Sequence, residues 1–417
     1  MKISETIFLL QKKITKILGL LLLVRLGLYI PVPNIDLDIF SQGQNINPMF
    51  SFARTLTGSS FLGIGALGIL PYINSSIIIQ LLTSVLPNLE RLQKEEGELG
   101  RQKISRYTRY LTFAWAIILS TAIAFFLVKP VVFNWNLLLA LKIIISLTTG
   151  SLLSMWFAEL ITEESLGNGS SMIIFINIIG SIPNSFNEFS QKITSTPYLS
   201  TFVLFCQGLV IYLFIVFIII LFQDAYKKIS IISAKQLNLN YSEQSLNSSE
   251  LKNSYIPIKL NQGGIMPLVF SSTITSFLYY PLQIFVNSEI GKNISFMPVF
   301  MTAYSFVLNI VLVIFFSGFY SLLVLKPNDI AENLSKMAYN IPGIRQGNQT
   351  TQYLKQTVSR LAFMGGIFLA FLAFFPIVLG NIFQFNIFKN VTSLLILIGV
   401  ITDTTSQIRG YLISRNY

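Results

Sequence analysis

The chain has no histidine and a single cysteine, Cys206, among its 417 residues. Without imidazole it cannot form a histidine-ligated metal site or a Ser-His-Asp triad, and one thiol cannot form an intrachain disulfide. The sequence also lacks the Walker A pattern and H-E-x-x-H, so no ATPase or metalloprotease motif is visible. We therefore expect no catalytic residues, no metal, no cofactor and no enzymatic activity.

Charged residues are scarce as well, at 11% of the chain, whereas 53% of the residues are hydrophobic. The apolar residues are collected into ten runs, most of them near the roughly 20 residues that a helix needs to cross about 30 Å of hydrocarbon. This pattern predicts an all-α polytopic membrane protein with ten transmembrane helices. The predicted spans are 14–30, 69–86, 107–128, 137–160, 170–182, 201–223, 263–285, 298–325, 361–379 and 392–412.

The net charge of +11 is distributed unevenly between the two sides of the membrane. Lysine and arginine concentrate at the two termini and in three long connections, 87–106, 224–260 and 326–360, and the positive-inside rule places these on the cytoplasmic side or its organellar equivalent. The length and basic character of these loops indicate a large docking partner, although positive-inside bias alone would also produce such charges. Because the basic residues are dispersed, we expect no direct nucleic-acid recognition.

One segment, 49–62 (MFSFARTLTGSSFL), is too short and too polar to span a membrane. Lipid cannot satisfy its polar groups, so it must lie inside protein or in a water-filled cavity, which indicates a pore. Gly63, Gly65 and Gly68 follow it and match G-x-G-x-x-G, but no strand precedes them. They therefore predict a hinge and close helix packing, not a dinucleotide site.

A secondary solute transporter with inverted repeats is the alternative, and it would place a cluster of polar or acidic ligands near the membrane midplane. The sequence lacks such a cluster. Ionisable residues at membrane depth are limited to Arg25, Lys142, Glu159 and Asp403. Branched aliphatic residues embedded among small polar ones occur at comparable depth, although ordinary helix packing would explain any one of them alone.

Several blocks of the sequence resemble one family strongly. The longest is GALGILPYINSSIIIQLLTSVLPNLERLQKEEGELGRQKISRYTRY (65–110). The others, in chain order, are YIPVPNID (29–36), ITEESLGNGSSMIIF (161–175), YIPIKLNQGGIMPLVFSS (255–272), KPNDIAENL (326–334) and IPGIRQGNQT (341–350). The sequence is thereby identified as resembling the SecY family, the channel subunits of the general secretory translocase, over nearly its whole length.

The resemblance implies two pseudo-symmetric halves around a central pore. The N-terminal half, 1–189, would contain spans 1–5 and the C-terminal half, 190–417, spans 6–10 with the loops 224–260 and 326–360. Segment 49–62 matches the plug half-helix of the family, with plug residues Phe52, Arg54, Thr57 and Ser60.

The resemblance also implies a hydrophobic pore ring at the constriction. Its members would be Ile69, Ile73, Ser170, Ile174, Val269 and Ile396. An aliphatic collar dewets and blocks ions, yet it offers no fixed hydrogen bonds to a passing polypeptide. Ser170 departs from the usual aliphatic residue, so we expect a slightly more polar collar or a compensating contribution from Met172.

Two further sets of residues are implied by the same comparison. A lateral gate between spans 2 and 3 and spans 7 and 8 would be closed by hydrogen bonds worth about 1 kcal/mol each. Its residues would be Gln80, Asn168, Ser271, Ser272 and Thr275. Partner binding would use Lys228, Lys235 and Arg345, the last held outward by a tight turn at Pro342 and Gly343.

The implied function is a passive, gated protein-conducting channel that passes unfolded, signal-bearing polypeptides across a membrane and releases transmembrane segments into the lipid bilayer. The implied partners are a SecE-type subunit, optionally a SecG-type subunit, and a SecA motor or a ribosome, with signal-bearing preproteins as substrates. The sequence uses Ile, Asn, Lys and Phe heavily, which suits an AT-rich genome. Since no presequence precedes the first span, we expect a plastid-encoded chain of the thylakoid membrane with stromal termini. A bacterial plasma membrane is the alternative.

Overall fold

The computed structural model describes residues 2–32, 63–129, 135–164, 167–180, 198–233, 255–264, 266–287, 297–383 and 391–416. Nearly all of these residues are helical. The α-helices are α1 (Lys2–Tyr29), α2 (Leu70–Val85), α3 (Pro87–Lys94), α4 (Gly97–Ala122), α5 (Leu137–Glu163), α6 (Gly169–Gly180), α7 (Tyr198–Asp224), α8 (Met266–Asn287), α9 (Met297–Leu325), α10 (Pro327–Lys336), α11 (Asn348–Phe383) and α12 (Val391–Asn416). A 3₁₀ turn, Ile64–Leu67, precedes α2, and a π-helical segment, Ile123–Val128, continues α4.

The ten predicted spans fall, over their described residues, on α1, α2, α4 with its π segment, α5, α6, α7, α8, α9, α11 and α12. Within the described part of the chain, five stretches are long and apolar enough by themselves to cross a membrane. They are Ile64–Val85, Gly97–Phe125, Leu137–Glu163, Tyr304–Lys336 and Asn348–Phe374. The all-α membrane architecture predicted from the sequence is therefore confirmed.

The chain forms two compact units. Unit 1 comprises Met1–Gly208 together with Leu379–Tyr417, and unit 2 comprises Leu209–Val378. Compactness and internal repetition are different properties, so the division into halves at residues 189 and 190 stays a prediction.

In unit 1 the 3₁₀ turn Ile64–Leu67 packs against α1, α4 and α5. Its residues Ala66 and Leu67 are buried and share an apolar cluster with the π segment and with α5.

An ion pair also joins two helices of unit 1. The Arg109 guanidinium of α4 forms two hydrogen bonds to the Glu159 carboxylate of α5. The Nη2–Oε2 distance is 2.9 Å and the Nε–Oε1 distance is 3.0 Å. This pairing satisfies Glu159, one of the four ionisable residues that the sequence places at membrane depth.

Unit 2 contains short strands that the sequence analysis did not predict. Strand β1 (Tyr226–Ser230) pairs antiparallel with β3 (Tyr255–Lys259), and β2 (Ile232–Ser233) pairs antiparallel with β4 (Tyr339–Asn340). The second pairing joins the loop after α7 to the loop after α9.

These strands, α10, the turn at residues 341–344 and the first turns of α11 form one structure, which we call the platform. A two-stranded ribbon is only marginally stable alone. The strands of the platform therefore depend on the apolar core that they share with α10 and α11. The fully buried members are Ile229, Ile258, Ala331, Ile341, Leu354 and Val358.

Candidate functional site

Ile69 and Ile73 lie at the start of α2. Ile69 is the residue before the first turn, and its carbonyl oxygen accepts the Ile73 amide hydrogen at 3.1 Å. One helical turn apart, the two side chains share a face of the helix, and both are buried. The collar that this pair would form stays a prediction.

Ser170 and Ile174 form an equivalent pair at the start of α6. Both are buried, and they are again four residues apart. The Ser170 hydroxyl donates to the Asn168 side-chain oxygen at 2.8 Å, and the Ser170 amide donates to the same oxygen at 3.2 Å. Asn168 thus caps the beginning of α6. It also accepts a hydrogen bond from the Ser170 hydroxyl, the polar group that an aliphatic residue would lack at this position.

A contribution from Met172 was one of two expectations at this position, the other being a slightly more polar collar. The Met172 side chain lies near Gly167, where a β-carbon would come within 2.8 Å of the methionine methyl group. The Ser170 hydroxyl is engaged by Asn168, and both expectations stay predictions.

The two remaining ring residues, Ile396 on α12 and Val269 on α8, are also buried. Ile396 belongs to unit 1 with the four residues above, whereas Val269 belongs to unit 2. The complete ring stays a prediction.

The predicted plug residues Phe52, Arg54, Thr57 and Ser60 lie outside the described residues. The nearest described residues before and after that segment are Val32 and Gly63. Pro31 and Gly63 form an antiparallel bridge, and the Ile64 amide donates to the Ile30 carbonyl oxygen at 2.9 Å. Gly63 and Ile64 therefore lie beside Ile30 and Pro31, at the end of α1.

The predicted gate residues make hydrogen bonds within their own units. The Ser271 hydroxyl on α8 bonds the Leu268 carbonyl at 3.0 Å and lies 3.2 Å from the Asn309 side-chain oxygen on α9. Ser272 and Thr275 donate to carbonyl oxygens of their own helix. Gln80 is exposed on α2 and donates to the Ser76 hydroxyl at 3.3 Å. The gate itself stays a prediction.

Arg345 is exposed at the end of a turn on the platform. The Ile344 amide donates to the Ile341 carbonyl at 3.1 Å, and Gly343 has φ +77°, as the third residue of a type II turn requires. The Arg345 carbonyl accepts the Thr350 hydroxyl at 2.8 Å. The predicted tight turn at Pro342 and Gly343 is therefore present, and its far end is tied to α11.

Lys228 is exposed on β1, and its ammonium group lies near two tyrosine rings. Its Nζ is 4.9 Å from the Tyr255 ring centroid and 5.7 Å from that of Tyr226, and the two rings are stacked. Cation–π contacts of this kind contribute about 0.5–1 kcal/mol at exposed sites and restrict the ammonium group. Lys235 lies outside the described residues.

The sequence reasoning missed these tyrosines, because their contact with Lys228 depends on the register of β1 against β3, in which Ser230 pairs with Tyr255. It also missed the partner of Arg25, whose guanidinium donates to the Gly180 carbonyl at the end of α6 at 3.1 Å. A cation at the carboxyl end of a helix is favourable, so Arg25 stabilises the helix that carries Ser170 and Ile174.

A further charged contact joins α1 to the end of α5. The Lys16 ammonium forms a short hydrogen bond with the Glu164 carboxylate, and Lys13 donates to the Glu164 backbone carbonyl at 2.9 Å. The hydrogen bond from Lys16, with the added positive charge of Lys13, lowers the pKa of Glu164 despite an opposing effect of burial.

Among the described residues, no group of three or more cysteine, aspartate or glutamate side chains is placed to hold a metal ion. The polar groups reported above pair with the protein itself. What the described geometry offers is two pairs of buried residues, Ile69 with Ile73 and Ser170 with Ile174, and a platform with exposed basic residues.

Comparison with known proteins assigns a family to this arrangement. The SecY family model matches residues 63–405. A protein translocase subunit SecY of Emiliania huxleyi is 66% identical over 418 residues, which cover 100% of this chain and 99% of that one. The corresponding subunit of Porphyra purpurea is 44% identical over 98% of this chain and 97% of its own, and that of Synechocystis sp. is 41% identical over 96% and 91%.

Solved structures with the same fold are more distant in sequence. "The structure of a protein conducting channel" aligns with a TM-score of 0.66 at 15% identity, covering 96% of this chain and 92% of that one. Sec61 from a canine ribosome-channel complex aligns with a TM-score of 0.61 at 14% identity over the same shares. The fold is thus that of the polytopic, protein-conducting membrane channels.

Within that class the chain belongs to the SecY family, in its algal and cyanobacterial form. It is a membrane protein of plastid or bacterial type. The family assignment gives no support to the secondary solute transporter that the sequence left as an alternative.

Proposed function

We propose that the chain is the protein-conducting channel subunit of a Sec translocase and has no enzymatic activity of its own. The observation that carries the proposal is the match to SecY relatives over essentially the whole chain, up to 66% identity. Unfolded polypeptides bearing a signal sequence pass through it, and transmembrane segments leave it sideways into lipid.

The resting channel is closed by the aliphatic ring. Ile69 with Ile73 and Ser170 with Ile174 supply two buried pairs from unit 1, and Ile396 and Val269 complete the set. A narrow aliphatic constriction excludes water and therefore ions. The hydrogen bond from Ser170 to Asn168 supports this role, because it leaves less free polarity at that position.

The lateral gate lies between α2 and α4 on one side and α8 and α9 on the other. Gln80, Asn168, Ser271, Ser272 and Thr275 provide hydrogen bonds that are individually weak, so a signal sequence can replace them by burying its own apolar surface. The plug is segment 49–62, and its proposed plug residues are Phe52, Arg54, Thr57 and Ser60.

The platform is the docking surface for the partner that drives transport, a SecA motor or a ribosome. Lys228 and Arg345 are exposed there on structures that fix their backbones, and Lys235 belongs to the same basic set. A solved relative of the same fold is Sec61 in a ribosome-channel complex, which supports a partner of this size. A SecE-type subunit, and optionally a SecG-type subunit, completes the channel.

The algal and cyanobacterial relatives support a thylakoid membrane with both termini in the stroma. The even number of spans and the excess of lysine and arginine in the loops 87–106, 224–260 and 326–360 support this orientation.

Reconstitution tests the function directly. Vesicles containing the full-length chain and its partner subunits should take up a radiolabelled preprotein when SecA and ATP are supplied. Removing the signal sequence from the substrate should abolish uptake. Uptake of small solutes in place of the signal-dependent preprotein would refute the proposal.

A second experiment tests the docking residue on the platform. Arg345→Ala should reduce SecA-driven uptake several-fold because it removes the exposed guanidinium while the turn and the Thr350 hydrogen bond to the backbone remain. Lys129→Ala, at an exposed cation of unit 1 outside the three long basic loops, is the control and should transport normally. Equal transport by both variants would remove Arg345 from the docking surface.

A further inference from the structure

The backbone between Gly63 and Gly68 is held between two helices of unit 1 with no room for a β-carbon on either side. A Cβ added to Gly63 would lie 2.0 Å from the Leu28 carbonyl oxygen of α1. On the opposite side, a Cβ added to Gly150 of α5 would lie 2.0 Å from the Ile64 carbonyl oxygen. Both contacts join backbone to backbone, so no side-chain rotation can relieve them. We call residues 63–68 the glycine wedge.

Other contacts fix the wedge in the remaining directions. The Pro31–Gly63 bridge and the Ile64 to Ile30 hydrogen bond attach its start to the end of α1. A Cβ at Gly65 would lie 3.1 Å from the Leu28 side chain. Ala66 and Leu67 are buried in the apolar cluster that includes residues of α5 and the π segment.

The wedge leads directly into the first pair of ring residues. Its 3₁₀ hydrogen bonds run from the Ala66 amide to the Gly63 carbonyl at 2.9 Å and from the Gly68 amide to the Gly65 carbonyl at 2.8 Å. Ile69 follows at once, and Ile73 is the next residue bonded to it. A hydrogen-bonded turn this short has little freedom, so displacing the wedge also displaces Ile69.

We propose that Gly63 and Gly150 are positioning residues of the channel constriction. They set how closely the start of α2 approaches α1 and α5, and they thereby fix where Ile69 and Ile73 lie. This inference rests on the proposed function, since the position of these two residues matters most if they close a pore.

A purely structural role for these glycines predicts something different. Small residues commonly allow membrane helices to pack closely, and their replacement then lowers the amount of folded protein. The leak through each folded channel would be unchanged. Resting ion conductance per channel therefore separates positioning from packing, and the amount of folded protein alone does not.

The variants for the test are Gly150→Ala and Gly63→Ala. The matched controls are Gly19→Ala and Gly27→Ala in α1, where an added Cβ meets nothing within 4 Å. Because replacing glycine by alanine inside a helix raises helix propensity, the controls reproduce that effect of Gly150→Ala without the steric contact. Gly63 has an extended backbone before the 3₁₀ turn, so Gly63→Ala lacks this effect.

The full-length chain in its native complex is reconstituted into lipid bilayers, and resting conductance is normalised to the number of folded channels. Signal-dependent preprotein uptake is measured on the same preparations. We expect a several-fold rise in resting conductance for Gly150→Ala and Gly63→Ala, and wild-type conductance for both controls.

Leu28→Ala serves if the glycine variants do not fold. It removes the buried side chain beside Gly65 and loosens the wedge without forcing it away, so conductance per channel should also rise. Wild-type conductance in the folded glycine variants, or in Leu28→Ala if they do not fold, overturns the inference while leaving the proposed function intact. Absence of signal-dependent uptake in the wild type would instead refute the function.

Discussion

Ile258 provides a quantitative test of the platform. This residue of β3 is 1% exposed and packs in the core that joins the β1–β3 ribbon to α10 and α11. Replacing it by alanine removes three buried carbon atoms, which at about 0.8 kcal/mol each amounts to about 2.4 kcal/mol before any cavity cost. Measured costs of such truncations reach about 2–5 kcal/mol.

The loss should appear as local opening of the ribbon, because Ile258 is, with Ile229 of β1, one of the two buried residues by which the ribbon packs into the platform core. At roughly 1.4 kcal/mol for each factor of ten, 2.4 kcal/mol predicts amide exchange in residues 226–230 that is about 50-fold faster. Hydrogen exchange with mass spectrometry on the chain in lipid nanodiscs measures this directly.

Ser230→Ala is the matched control, since it alters an exposed side chain on the same ribbon and should leave exchange unchanged. Exchange in α5 and α9 should be the same in all three proteins. Unchanged exchange of residues 226–230 in Ile258→Ala would refute the idea that the apolar core anchors the ribbon.

Two further predictions concern unit 1. Because its partners lower the pKa of Glu164 in the folded protein, the ion pair stabilises the chain above the ordinary glutamate pKa of about 4.3, and this contribution is lost as the pH falls through the lowered value. Glu164→Gln should therefore have a lower thermal unfolding midpoint than the wild type at pH 7, and the difference should shrink in acid. A gap that persists at low pH would contradict this assignment. Deleting residues 52–60 should raise resting ion leak and leave translocation largely intact, as measured in reconstituted bilayers. Unchanged conductance would count against the plug.

The membrane architecture could be predicted from the sequence because span length and apolar composition are local properties. The predicted spans therefore fall on helices, with boundaries that differ mainly where α1, α4 and α11 continue beyond the membrane as polar helix. The turn at Pro342 and Gly343 was predictable for the same reason, since its chemistry lies within four adjacent residues.

The platform could not be predicted in this way. Its core combines Ile229 with Leu354, residues more than a hundred positions apart, and each of the strands β1 and β3 has only five residues with one fully buried position. The bond between Ser170 and Asn168 was hidden for another reason. Family resemblance placed each residue in a different functional set, and only the local geometry of the start of α6 pairs them.

Helix α11 begins in the platform and continues without interruption into the ninth span. Its 36 residues extend about 54 Å at 1.5 Å per residue. Leu354 and Val358 fasten its first turns to the platform core, and a Cβ at Gly366, farther along, would lie 3.1 Å from the Ile314 Cα of α9. One end of the helix thus lies in the proposed docking platform, and Gly366 packs closely against α9. If a partner tilts the platform, we expect α11 to tilt with it about the contact with α9, because the helix is continuous between these two regions.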